Sequence, residues 1–255
     1  MTMSSTFQYV SDIHLEFRSR EVVVPRRAPR LILAGDVGDP RTAMYKNFLA
    51  QVSRTFDDVF LVAGNHEFYG STMETTREAI ALTCSELPNV HFLDNATFSS
   101  DALPVHIFGG TMWSDVADSE RRDVERFIND YRMIRGFSSE VAREGHRAFV
   151  RSLERALEDN TDKPFLVISH HLPLTRLIDP MYASSPINSA FATDVALATH
   201  PRVRAWVYGH THAPRVDGSF YCNPVGYPGE RERVDLTLTF DVGFHTQSSP
   251  SSGLG

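Results

Sequence analysis

The sequence predicts a layered α/β fold, and three observations carry that prediction. Apolar runs of strand length recur along the chain, and helical periods fall between them. Nearly every run stops at a glycine or at an aspartate, asparagine or histidine. A chain of 255 residues buries enough surface for one large domain, and residues 1–245 are read as that domain.

The elements follow in order. Residues 7–10 are a first apolar run, halted at Ser11 and Asp12. Residues 31–34 (ended by Gly35 and Asp36) and 59–63 (ended by Gly64 and Asn65) have the look of buried strands feeding loops. Residues 105–108, 165–168 and 203–208 repeat the pattern before Gly109, Ser169 and Gly209. Ser71 and Glu74 predict a capping box for a helix carrying Ala79, Ile80 and Leu82. Val124, Phe127, Ile128 and Tyr131 share a helical period, as do Val141, Phe149, Leu153 and Leu157. Residues 234–240 alternate like a closing antiparallel strand. Residues 246–255, rich in Ser, Pro and Gly, predict a disordered tail.

Composition excludes several classes. Apolar residues make up 42% of the chain, an ordinary share for a globular protein, and no run approaches the roughly 18 residues of a membrane span. No secretory signal is visible at the N-terminus. Cys84 and Cys222 stand far apart in no motif, which suits small core residues in a reducing cytoplasm. The net charge of −7 and the lack of an evident nucleic-acid-binding module count against a polynucleotide groove. The composition leaves the oligomeric state open.

The histidines number 11, and their placement decides the reading. Asp12, His14, Asp36, Asn65, His66, Glu67, His170, His171, His210 and His212 all follow apolar runs, and in α/β sheets functional groups gather beyond the carboxyl ends of strands. Each alone is ordinary, since an aspartate after a strand is commonly a turn former or helix cap. Together they form a set of nitrogen and oxygen donors. In an extended segment, Asp12 and His14 would point the same way, as would His210 and His212. Mixed donors suit borderline divalent transition metals rather than calcium.

The string Asp12-x-His14, Gly35-Asp36, Gly64-Asn65-His66-Glu67, His170 and Gly209-His210-x-His212 resembles the signature of the calcineurin-like metallophosphoesterase superfamily. The resemblance implies a four-layer sandwich of two mixed β-sheets flanked by helices. It implies two divalent metal ions, with manganese, iron, zinc, nickel and cobalt all admissible. Asp12, His14, Asp36 and His212 would hold one ion; Asp36, Asn65, His170 and His210 would hold the other. A hydroxide bridging the ions would attack phosphorus, His66 would protonate the leaving group, and Glu67 would orient His66.

Departures from the signature narrow the subclass. Phosphoprotein phosphatases of the superfamily usually carry Asp-Arg-Gly after the second motif and Arg before Gly-Asn-His. Here Val37-Gly38-Asp39 follows Asp36, and Ala63 precedes Gly64, so the guanidinium clamp for a phosphomonoester is missing there. The lipid A pathway hydrolases usually place Arg where His66 stands. The stretches 110–115 and 129–132 resemble a bacterial-type subgroup, which makes Trp113, Tyr131 and Arg132 candidate substrate contacts. His171 is a further candidate beside His170, and residues 173–191 a candidate lid. The expected activity is hydrolysis of phosphodiesters or small phosphorylated metabolites. A phosphoprotein phosphatase, a nuclease and a non-catalytic scaffold are the alternatives, and a scaffold would be expected to lose ligands.

Overall fold

The computed structural model describes residues 5–230 and 234–243. The predicted tail at 246–255 lies outside them.

Two mixed sheets carry the fold. In the first, β1 (Thr6–Val10), β2 (Arg30–Ala34), β3 (Asp58–Val62) and β4 (Val90–Phe92) run parallel, and β11 (Thr239–Asp241) closes the edge antiparallel to β1. In the second, β6 (His106–Gly110), β7 (Phe165–Ser169), β8 (Val203–Tyr208) and β10 (Phe220–Cys222) are parallel. The short strands β5 (Ala96–Phe98) and β9 (Arg215–Asp217) flank them antiparallel. The closing strand is thus antiparallel as expected but shorter than the alternation at 234–240 predicted.

Alternation within the strands builds the layers. Phe7, Tyr9, Ile32, Ala34, Phe60 and Val62 face Ile107, Leu166, Ile168, Ala205 and Val207 in a core between the sheets. Their neighbours Leu31, Leu33, Val59 and Leu61 turn outward onto α1 (Ala43–Thr55), through Tyr45, Leu49 and Val52, and onto Ile80 of α2 (Met73–Ser85). Phe165, Val167 and Trp206 turn outward onto Phe149, Leu153 and Leu157 of α5 (Ser139–Asp159). The result is the expected helix–sheet–sheet–helix sandwich. Strands covered on both faces read as continuous apolar runs, which is why they are visible in the sequence.

Two helical expectations are corrected. The cap of α2 is Thr72, whose side chain accepts from the Thr75 amide at 3.2 Å, rather than Ser71 with Glu74. Ser71 is buried, and its own backbone is committed to Phe68 and Arg135. The period across 124–131 is split into α3 (Arg121–Phe127) and α4 (Asp130–Met133), with Ile128 extended between them. That break sets the Asp130 carboxylate against Asn65.

The paired strands end level. Val10 lies beside Leu33, Ala34 beside Val62, and Ile168 beside Val207. The polar residues that follow therefore gather along one rim of the sandwich.

Candidate metal centre

The rim is built from strained turns, not from extended segments. Asp12, His14, Asp36, His210 and His212 all have positive φ, between 50° and 70°. The expected extended conformation of Asp12-Ile13-His14 and His210-Thr211-His212 is thereby corrected. The reason is backbone pairing: the amides of Asp12, His14 and Leu15 donate to the carbonyls of Gly35, Asp36 and Val37, which curls the chain around the second turn. A non-glycine residue held in this region costs on the order of 1–3 kcal/mol, and such strain clusters at functional sites. Glycines make the close approach possible. A side chain at Gly64 would run into the Asp36 carboxylate, and a Cβ at Gly209 would lie 2.8 Å from Asp12 Oδ2.

The donor atoms converge with their lone pairs facing one another. His14 Nε2 lies 3.0 Å from His212 Nε2. The Nδ1 of each ring is taken by a carboxylate, Glu16 at 3.0 Å and Glu230 at 2.8 Å. A ring that donates through Nδ1 presents a lone pair at Nε2, so two acceptors stand in contact. A second group lies nearby, around a ring whose pKa, against burial, the Asp36 charge raises to about 10. His170 Nδ1 faces the Ala34 carbonyl at 2.9 Å, while its Nε2 meets Asn65 Oδ1 at 3.1 Å and Asp36 Oδ2 at 3.4 Å. Asn65 spends its amide protons on Asp130 and Tyr69, leaving its oxygen toward His170. Asp36 Oδ2 is also 3.7 Å from His14 Nε2, and Asp12 Oδ1 is 3.5 Å from His212 Nε2. Acceptors facing acceptors in a buried site are the arrangement a divalent cation fits. Asp36 reaches both groups of donors. Burial works against its charge, but His170 and His66 hold its carboxyl well below the usual range.

The remaining predicted residues are placed less uniformly. The His210 ring lies 5.0 Å from His170 and stacks against His171 and Phe191, and it belongs to none of the tight donor groups among the described residues. Burial, with His171 and His170 nearby, keeps it neutral by pushing its pKa well down. His66 sits in one donor group with His14 and Asp36. Glu67 does not orient His66. It is fully buried and accepts from the amides of Asp36, Val37, Gly38 and Gly64 at 2.7–3.3 Å, tying the second motif to the third. Burial and the Asp36 charge raise its pKa to about 8, against the His170 charge and the Gly64 amide, which favour the carboxylate.

The carboxylate on His66 is Glu16. Its Oε1 lies 2.9 Å from His66 Nδ1 and 3.0 Å from His14 Nδ1, so one oxygen aligns both rings. Tyr227 places its hydroxyl 3.1 Å from His66 Nε2. Burial lowers the His66 pKa, but the Asp36 charge and the Glu16 hydrogen bond outweigh it and bring the ring to about 9. Glu16, Tyr227 and Glu230 were not predicted. Glu16, two residues after His14, left a trace in the sequence; Tyr227 and Glu230 sit in a Pro/Gly loop with no motif.

The model of the family described as calcineurin-like phosphoesterase matches residues 6–214, which contain every one of these predicted donors. The chain belongs to that family. It is a metallophosphoesterase, a hydrolase of phosphoric esters. The chain is similar to uncharacterized protein L509 of Acanthamoeba polyphaga mimivirus, 28% identical over 270 residues that cover 92% of this chain and 96% of that one. Its fold is similar to that of phosphopantetheinyl hydrolase from Mycobacterium tuberculosis, with a TM-score of 0.70, 20% identity and 99% of both chains covered. It is also similar to the protein TT1561 of Thermus thermophilus, with a TM-score of 0.56, 14% identity and 94% and 100% of the two chains covered.

In this metallophosphoesterase a cleft of about 480 Å³ opens over the donors, lined by Asp36, Asn65, His66, His210 and His212 at its base. The candidate substrate contacts do not line it. Trp113 is 2% exposed and wedged among Phe68, Phe137 and His171, so its ring is core. Tyr131 packs on Phe137, and the exposed Arg132 bonds Asn129 and the Arg126 carbonyl. Their neighbours Ile128, Asn129 and Asp130 line the cleft instead. His171 is buried beneath His210, with Nδ1 toward the Thr111 carbonyl. Residues 173–191 hold three single 3-10 turns and are pinned at their base where Leu172 and Phe191 pair, which makes a wall rather than a free flap.

Proposed function

We propose that this protein is a dinuclear metal-dependent hydrolase of phosphodiesters or small phosphorylated metabolites, with His66 as the general acid. Asp12, His14, Asp36 and His212 are assigned to one ion, and Asp36, Asn65, His170 and His210 to the other, with manganese a suitable metal. The observation that carries the reading is the 3.0 Å approach of the His14 and His212 Nε2 atoms, each ring held at Nδ1 by a carboxylate. Two divalent ions, when bound, neutralise phosphoryl oxygens and lower the pKa of water.

The chain's own groups do the rest. Glu16 holds the His66 ring through Nδ1 and leaves Nε2 toward the cleft, where a leaving oxygen takes its proton. Tyr227 occupies that position and is displaced by substrate. Asp130 holds the Asn65 amide so that its oxygen faces inward. A diester is favoured over a phosphoprotein because the arginines that clamp a dianionic monoester are absent at positions 37–38 and 63. The Mycobacterium tuberculosis protein of similar fold, a phosphopantetheinyl hydrolase, points the same way. Cys84 and Cys222 are buried core residues far apart in the sequence, which supports a cytoplasmic setting; no helix among the described residues is long and apolar enough to cross a membrane.

The test is turnover of purified protein with Mn²⁺ on bis-p-nitrophenyl phosphate, p-nitrophenyl phosphate, cyclic nucleotides and a phosphopeptide. We expect the highest kcat/KM on diesters. A preference for the phosphopeptide would restore the phosphatase reading, and no turnover despite full metal loading would favour the scaffold.

A further inference from the structure

The cleft reaches well beyond the donors, and its walls have a definite chemistry. At about 480 Å³ it lies in the roughly 300–1,000 Å³ range of small-molecule sites and is far larger than a phosphoryl group. One wall is Ile178, Tyr182, Ile187 and Phe191; the other is Phe127 and Ile128 at the end of α3. Phe127 is 56% and Tyr182 53% exposed, so apolar surface stands uncovered beside a charged base. Among the described residues that line the cleft, the charged side chains outside the donor set and His66 are Asp130 and Glu230, both acidic, and no lysine or arginine is present.

From this we infer that the reacting phosphoryl group carries a neutral, largely apolar substituent of at least several carbons, seated between these walls, and no second anionic group. The inference rests on the proposed hydrolase reading and names its substrate class. The walls remove apolar surface from water on binding, each buried methylene adding affinity. A second anion between the walls would lose its hydration and meet no lysine or arginine among the described lining residues.

Three p-nitrophenyl diesters test this on the Mn²⁺-loaded protein: the methyl, hexyl and 5-carboxypentyl phosphates, which share one leaving group. The hexyl ester is expected to exceed the methyl ester in kcat/KM by about 10- to 100-fold. The carboxypentyl ester is expected to fall at least about tenfold below the hexyl ester. Ile178→Asn should bring the hexyl-to-methyl ratio toward one, and Tyr182→Asp, at an exposed position, gives the same readout if that variant does not fold. Calorimetric binding of hexylphosphonate and methylphosphonate reads the walls without turnover, with hexylphosphonate the tighter by about tenfold or more. Turnover with equal rates on hexyl and methyl esters would overturn the inference and leave the hydrolase reading intact. Tight hexylphosphonate binding without turnover of any ester would overturn the hydrolase reading and uphold the walls. A dimer in sedimentation that Ile178→Asn disperses would also overturn the inference, since a second copy would then cover the walls.

Discussion

The two sheets bring different chemistry to the same rim. The first delivers Asp12 and His14 after β1, Asp36 after β2 and Asn65 with His66 after β3. The second delivers imidazoles only, His170 after β7 and His210 and His212 after β8. Oxygen donors alone would suit magnesium or calcium, and the nitrogens shift the set toward transition metals. Neither half is complete, and the two meet across a core of apolar and aromatic side chains. The supporting carboxylates are also divided. Glu16, Glu67 and Asp130 gather around the first sheet's residues, while Glu230 holds His212 of the second.

Asp36 is the sharpest point of that contrast, because it belongs to the first sheet and reaches His170 of the second. Asp36→Ala should empty both metal positions and abolish turnover, whereas His14→Ala should retain part of the second ion. Elemental analysis reads this directly. Two full equivalents retained in Asp36→Ala would break the picture of a residue shared by the halves.

His66→Ala should cost about 10²–10⁴-fold on alkyl esters, whose leaving oxygen needs a proton, and much less on p-nitrophenyl esters. Metal content should hardly change, and kcat should fall more than KM rises. Equal losses on both esters with loss of an ion would make His66 a ligand or a support.

The two carboxylates of the first half should separate cleanly. Glu16→Gln should reduce turnover about 10- to 100-fold, with the larger loss on alkyl esters, because it loosens the His66 ring as well as His14. Glu67→Gln should lower the urea midpoint instead, since it weakens the ties to four backbone amides. A reversed pattern would restore Glu67 as the partner of His66.

Metal removal should loosen the joint between the halves. Each ion at a hundredfold excess over its Kd stabilises by about 2.7 kcal/mol, or roughly 5–10 °C in Tm for a chain of this size. Chelation should speed amide exchange at residues 35–37 and 169–171 in particular. Uniform exchange across both sheets would mean that the ions do not bridge them.

The smallest effect serves as a control outside the rim. His146 is buried in α5, and burial lowers its pKa below 6.5. The native ring resists protonation while the unfolded one accepts it, so stability is full above about 6.5 and declines as pH falls below that value. His146→Phe should flatten the decline in urea midpoints between pH 7.5 and 5 measured in EDTA. An unchanged slope would assign it to the rim histidines.

Much of this was legible in the residue order. Apolar runs at 31–34, 59–63 and 165–168 became β2, β3 and β7 because strands covered on both faces admit little else. The four short strands β4, β5, β9 and β10, of three residues each, were not predicted, nor was α1. Three residues hold too few alternations to show a period. At the rim, Asp12, His14, Asp36, His170 and His212 share close donor groups and the His210 ring stands outside them, and the backbone that points them was not predicted. Left-handed residues at Asp12 and His14 leave no composition signal, because hydrogen bonds to the distant turn at 35–37 impose them.

The chemistry of the donor set was therefore a property of the chain itself, since side-chain type and motif order do not depend on packing. The partner of His66 was not. Glu16 and His66 are 50 positions apart, and they meet only because the turn after β1 curls under the turn after β3. Glu67 stood next to His66 in sequence and was drawn away by four buried amides that would otherwise lack an acceptor. Burial demands that such amides be paired, and that demand outweighed adjacency.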